Sequence, residues 1–188
     1  MAVHPKLSAT QQRHIRKTRA HRPNAPVVRK SLVLIVVLEA LAALQIAYYF
    51  RKLPGVVASH FNAAGIANAW QTKQTFMETY GIVLLGIAAV YFVVPRLLFT
   101  LPPEMIHLPN KRYWLAPERR TQTLDDFADR FAALGAGTLA LVVICFQLVF
   151  QANLGGTALS GAVPALIAAY GAFAATWLAL LLLRYRHG

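Results

Sequence analysis

The chain has 188 residues, of which 57% are apolar and 14% are charged. Soluble domains average about 45–50% apolar residues and about 25% charged residues. The composition therefore excludes a disordered chain and predicts an integral membrane protein. The 19 lysines and arginines outweigh 7 acidic residues, which gives a net charge of +12. Because the basic residues lie between apolar runs, we expect them to face anionic lipid headgroups on the cytoplasmic side of the bilayer rather than nucleic acid.

The N-terminal segment is polar and basic and contains no acidic residue. We predict a disordered cytoplasmic tail, residues 1–30, followed by one membrane domain, residues 31–188. The tail has no aromatic residue on which nucleic-acid bases would stack, so no nucleic-acid partner is expected. Its eight lysines and arginines are expected to hold the first helix in one orientation.

Four apolar segments follow, and each is long enough to cross a bilayer, which takes about 20 residues. They are residues 31–50, 80–101, 131–150 and 161–183. The predicted fold class is all-α, an integral membrane bundle of four transmembrane helices. Pro164 falls in the first turn of the fourth helix, where a proline is tolerated. Gly171, Ala175 and Ala179 lie four residues apart, which predicts close packing of this helix inside the bundle.

The distribution of positive charge predicts the orientation of the bundle. The N-terminal tail, the loop between spans two and three, and the C-terminal segment carry eight, five and two lysines and arginines. The loop between spans one and two carries three, and the last loop carries none. Lysine and arginine concentrate in cytoplasmic loops. We therefore expect both termini in the cytoplasm and the loop between spans one and two outside.

Two loops have compositions unlike those of ordinary connectors. The outer loop reads Leu-Pro-Gly-Val-Val-Ala-Ser-His-Phe-Asn-Ala-Ala-Gly from Leu53 to Gly65. The inner loop reads Leu-Pro-Asn-Lys-Arg-Tyr-Trp-Leu-Ala-Pro-Glu-Arg-Arg from Leu108 to Arg120. Loops carry function more often than the scaffolds that hold them, so we expect the functional residues of this chain in these two segments.

These loops resemble the DUF1648 domain family of bacterial membrane proteins, which includes relatives of the SdpI immunity protein. The matches to the outer signature of the family are Leu53, Pro54, Val57, His60, Phe61, Asn62 and Gly65. Ala58 replaces a second proline, and Asn68 stands where the family often has an acidic residue. In the inner loop, Pro109-Asn110-Lys111, Tyr113-Trp114-Leu115 and Pro117-Glu118-Arg119 are also typical.

The resemblance extends over residues 33–183. It implies a multi-pass protein of the bacterial cytoplasmic membrane. It also implies a role in immunity or signalling, with an external peptide or envelope component outside and a protein partner in the cytoplasm.

The candidate binding residues of the outer loop are His60, Phe61, Asn62 and Gly65. An imidazole can recognise an acidic group, sense pH, form a structural hydrogen bond or bind a metal ion. These interpretations of His60 stay open, although a lone histidine is a poor metal site. We therefore predict neither a metal nor a cofactor. Gly65 is expected to end the motif in a turn with positive φ.

The inner loop is predicted to form an interfacial turn followed by a helix over Thr121–Arg130. Its candidate contacts with lipid headgroups or a cytoplasmic partner are Lys111, Tyr113, Trp114, Glu118 and Arg119. Arg120 is also expected to face phosphates. No nucleophile and base form a recognisable pair in the chain, so an enzyme is not expected.

Glu39 is the only charged residue within the first span. A carboxylate inside a bilayer costs at least about 2.5 kcal/mol, so it should face protein and have a partner. Helix rise places Glu39 about 12 Å and Arg96 about 7 Å from the inner ends of their spans. A Glu39–Arg96 pair is one interpretation. A protonated Glu39 bonded to its neighbours, or a proton pathway in a small transporter or proton-coupled module, are the alternatives.

Overall fold

The computed structural model describes residues 30–155 and 158–186, so the predicted tail, residues 1–30, lies outside the described part of the chain except for Lys30, which begins the first helix. The elements are α1 (Lys30–Lys52), β1 (Val56–Phe61), β2 (Ala67–Thr72), α2 (Lys73–Thr100), a 3-10 turn (Pro103–Met105), α3 (Lys111–Trp114), α4 (Arg120–Gly155) and α5 (Ala162–Arg186). Helices α1, α2, α4 and α5 are each long and apolar enough to cross a membrane. Following the predicted orientation, we call the end with the β-strands the outer end and the end with α3 the inner end.

The helices extend beyond the predicted spans because polar turns continue them past the apolar segments. α2 begins at Lys73, where the Thr72 hydroxyl oxygen accepts the Thr75 backbone N–H at 3.2 Å and caps the helix. α4 has 36 residues and begins at Arg120, so the helix predicted over Thr121–Arg130 is confirmed and is continuous with the third span. At its other end α4 takes in residues 151–155, which were predicted to be loop.

Helix α4 lies at the centre of the bundle, because α1 and α2 both pack on it more extensively than they pack on each other. One stripe of α1, with buried residues at seven-residue spacing, faces the core: Ile35, Ala42 and Tyr49. The ring of Tyr80 from α2 stacks on Phe146 from α4 with centroids 3.9 Å apart. The opposite faces of the helices expose leucine, valine and isoleucine, as lipid contact requires.

The small residues of α5 do not pack inside the bundle as predicted, since Gly171, Ala175 and Ala179 are all exposed. The α5–α4 contact is instead made by aromatic rings. A Cβ atom added at Gly137 of α4 would lie 2.4 Å from Cε1 of Phe173, so the ring occupies the space that a side chain would need. The small residue that permits close approach therefore lies on α4.

The outer loop is not an irregular connector but an antiparallel hairpin of β1 and β2, which the all-α prediction missed. At its turn, the Asn62 side-chain oxygen accepts the backbone N–H groups of Ala64 and Ile66, each at 3.0 Å. Gly65 has φ +76°, which confirms the predicted positive φ. The strand register shifts on both sides of His60, so the strands do not show the regular alternation that identifies a β-strand in a sequence.

Candidate functional site

The hairpin is fixed to the helical bundle at two points. The side-chain amide of Asn153 in α4 accepts the Ala58 N–H at 2.7 Å and donates to the Ala58 carbonyl at 3.0 Å. Near the turn, the Gly65 carbonyl accepts the Leu159 N–H at 2.8 Å from the loop before α5. These contacts hold the hairpin in one position over the outer end of α4.

The four predicted outer-loop residues have different positions. Asn62 and Gly65 form the turn, and Phe61 is half-buried. His60 is exposed, and its Nδ1 lies 2.6 Å from Oδ1 of Asn68 on the opposite strand. This contact with Asn68 orients the imidazole. In the described part of the chain, Nε2 of His60 makes no hydrogen bond.

A groove of about 390 Å³ lies between the hairpin and the end of α4, and we call it the outer groove. Its lining is formed by Pro54, Val56, Ala58, Phe61, Ile66, Ala67, Trp70, Ala152 and Asn153. Trp70, Val56 and Ile66 are 61%, 60% and 57% exposed. The sequence prediction selected only Phe61 among these groove residues. The signal it passed over was the presence of large apolar side chains in a loop between two charged helix ends.

A hydrogen-bonded network joins α1, α2 and α4 in the outer half of the bundle. The Tyr80 hydroxyl donates to Gln45 Oε1 at 2.7 Å, and Gln45 Nε2 donates to Gln147 Oε1 at 2.9 Å. Gln147 Nε2 in turn donates to the Tyr49 hydroxyl at 2.6 Å. These uncharged side chains satisfy one another in apolar surroundings. The sequence prediction missed them because it looked only for polar partners at the depth of Glu39 and Arg96.

The structure does not bring Glu39 and Arg96 together. Arg96 is exposed, and its Nη1 donates to the Phe92 carbonyl of its own helix at 2.7 Å. Its side chain lines a cavity of about 210 Å³ at the inner end, which Asp125 also lines. The pair was predicted on the assumption that consecutive helices are neighbours, whereas α1 and α2 pack mainly on α4. The Oε1 atom of Glu39 is buried and has no hydrogen-bond partner among the residues that the structure describes.

Trp114 is buried and is therefore not the surface residue that the sequence predicted. Its Nε1 donates to the Tyr185 carbonyl at 3.0 Å, and its carbonyl accepts the Thr123 hydroxyl at 2.8 Å. It thus ties the inner loop to the end of α5 and the start of α4. The other candidates of the inner loop are exposed: Lys111, Tyr113, Glu118 and Arg119.

Arg120 also differs from its predicted position facing phosphates. Its guanidinium donates to the carbonyls of Phe99, at 3.2 Å, and Leu101. These carbonyls belong to the last turn and the cap of α2, where a cation is favoured by the helix dipole.

Among the residues that the structure describes, no three histidine, cysteine, aspartate or glutamate side chains form a group able to hold a metal ion.

Comparison with protein-family models, with curated proteins and with solved structures finds no match to the chain. The resemblance to the DUF1648 family therefore stays a prediction, and the function has to be argued from the geometry.

Proposed function

We propose that the chain is a multi-pass membrane protein that recognises an external amphipathic peptide in its outer groove, in an immunity or signalling role. The observation that supports this proposal is the groove itself, in which Trp70, Val56 and Ile66 are exposed together beside the outer end of the bundle. Exposed apolar patches of this kind mark interaction sites, and exposed tryptophan is a frequent anchor of binding energy.

The rigidity of the hairpin supports the same function. Asn153 and Gly65 hold both the strand and the turn in place, so a ligand does not have to order the surface that it binds. Lys52 and Lys73 lie at the base of the hairpin, next to the ends of the strands. Their charges favour an occupant that combines an apolar face with acidic groups.

A photocrosslinking experiment tests the proposal. A benzophenone amino acid replaces Trp70 in the full chain, and cells are exposed to the peptides that the host bacterium and its neighbours secrete. We expect peptide adducts at position 70, identified by mass spectrometry. The matched control carries the crosslinker at Ile167, which is similarly exposed but lies on α5. Lipid adducts alone at both positions would contradict peptide recognition.

A second candidate function is proton coupling, and it is favoured by the buried Oε1 atom of Glu39, which no residue in the described ranges 30–155 and 158–186 contacts by a hydrogen bond. An ionisable group inside a membrane bundle commonly marks an ion or proton path. In proteoliposomes with an imposed potential, a pH-sensitive dye should report proton flux that Glu39→Gln abolishes. Glu78→Gln, which alters an exposed carboxylate on α2 that bonds Gln74, should leave the flux unchanged. Flux no higher than in protein-free vesicles would exclude this function.

A further inference from the structure

A second cavity, of about 340 Å³, lies at the inner end between the inner loop, the start of α4 and the end of α5. We call it the inner cavity. Its walls include the rings of Tyr113 and Trp114 and the side chains of Arg119, Arg184 and Asp126. It lies at the opposite end of the bundle from the outer groove and does not depend on the function proposed for that groove.

Positive charge exceeds negative charge at the inner cavity. Asp126 Oδ2 lies 3.1 Å from Arg130 Nε and 3.6 Å from Arg184 Nε, and it also accepts the Tyr185 hydroxyl at 3.1 Å. One carboxylate is thus shared between two guanidinium groups. Neither of these ion pairs involves Arg119. The cavity therefore keeps a net positive charge after its internal pairs are formed.

The arginines are held in place by aromatic rings. The guanidinium of Arg119 lies over the ring of Tyr113, 4.0 Å from its centroid, and that of Arg184 lies 4.8 Å from the centroid of Trp114. Trp114 is itself fixed by its hydrogen bond to Tyr185. Stacking on an aromatic face leaves the N–H groups at the edge of a guanidinium free to bind. The fork of donors along that edge matches the oxygens of a phosphate.

The position of the cavity matches the depth of a lipid headgroup. From Ala162 to Arg184, α5 rises about 33 Å at 1.5 Å per residue, which is close to the roughly 30 Å thickness of bilayer hydrocarbon. When α5 spans the membrane, Arg184 therefore lies where the phosphates of one leaflet begin. Tyr113, Trp114 and Tyr185 at the same end are the residue types enriched at this boundary.

We propose that the inner cavity binds the phosphate group of an anionic phospholipid between Arg119 and Arg184. The guanidinium groups, which stack on aromatic rings, bind the phosphate oxygens, and the acyl chains lie along the exposed apolar surface of α5. Soluble phosphate offers the same oxygens, so the test has to separate the two sources.

The test uses the purified full chain in nanodiscs of phosphatidylcholine with and without phosphatidylglycerol. Native mass spectrometry counts the phosphatidylglycerol molecules that stay bound, and a thermal melt follows stability. Replacing Arg119→Gln and Arg184→Gln together should weaken phosphatidylglycerol retention about tenfold, because charge-assisted contacts are lost. The control replaces Arg112→Gln and Arg186→Gln, which removes the same charge from exposed residues outside the cavity. This control should retain the lipid.

Three outcomes would overturn the proposal. The first is equal loss of lipid in both double variants, which would show attraction to charge in general. The second is full retention in the Arg119→Gln, Arg184→Gln variant. The third is stabilisation by inorganic phosphate, in phosphatidylcholine nanodiscs, that equals the effect of phosphatidylglycerol. If the double variant does not fold, Arg119→Gln alone applies the same test, because it leaves both ion pairs of Asp126 intact.

Discussion

At the scale of single residues, the polar contacts of the bundle are made by uncharged side chains rather than by the charged pair that the sequence suggested. Gln45 contacts both Tyr80 and Gln147. Glu39 and Arg96 do not contact each other, and Arg96 bonds within its own helix. A glutamine carries no charge, so a search for charged residues does not find it. Its side-chain amide nevertheless offers both a hydrogen-bond donor and an acceptor.

Double-mutant cycles should show that the first pair, Gln45 and Gln147, is energetically coupled and that the second, Glu39 and Arg96, is not. For Gln45→Leu and Gln147→Leu, which share a hydrogen bond, we expect a coupling energy of about 0.5–3 kcal/mol. For Glu39→Gln and Arg96→Gln, the effects should add to within about 0.5 kcal/mol, because the residues are not in contact. The measurement is the free energy of unfolding in detergent for each single and double variant. Strong coupling between Glu39 and Arg96 would contradict their positions in the structure.

At the scale of the elements, the sequence predicted the number of long helices and missed the hairpin. Runs of apolar residues identify the part of a helix that lies in hydrocarbon, but the ends are set by local polar contacts, such as the cap at Thr72. The hairpin depends on Asn153, which lies 95 positions along the chain from Ala58. A contact at that separation leaves no local pattern. The face of α5 that contacts α4 was likewise not predictable. A row of small residues on one helix does not show whether the contact is made there or by larger side chains on another face.

The turn of the hairpin provides the second prediction. Gly65→Ala places a side chain at φ +76° and 2.9 Å from the Leu159 carbonyl oxygen. The left-handed conformation alone costs about 1–2 kcal/mol, so the hairpin should detach from the loop before α5. Hydrogen exchange followed by mass spectrometry should show faster exchange over Val56–Thr72. Gly55→Ala is the control, since nothing lies within 4 Å of an added Cβ there. Equal exchange in the two variants would show that a side chain at position 65 does not strain the turn.

At the scale of the whole molecule, the orientation proposed for the bundle rests on its lysines and arginines. The positive charges of the inner loop and of the end of α5 lie at one end of the helices, and the hairpin lies at the other. With four crossings, the start of α1 and the end of α5 lie on the same side of the membrane, and the side of one loop determines the sides of all the others. The orientation is therefore a prediction about every loop at once.

Reporter fusions check this orientation. A fusion after Arg186 should be active only with a cytoplasmic reporter, and a fusion after Ser160 only with an external one, because α5 separates the two sites. The control is a fusion after Lys52, which should report the same side as Ser160. An external C-terminus would reverse the assignment of the outer groove and the inner cavity.

The length of α4 has a structural consequence. Its 36 residues make a rod about 54 Å long, which exceeds the roughly 30 Å of hydrocarbon. Near one end of this helix Asn153 forms hydrogen bonds with the hairpin, and near the other end Asp126 forms an ion pair with Arg184 of α5. Because these residues form one continuous helix, Asn153 and Asp126 belong to a single element that connects the hairpin with the end of α5. If binding at one end of α4 changes the affinity at the other end, thermodynamic linkage requires the change to be the same in both directions.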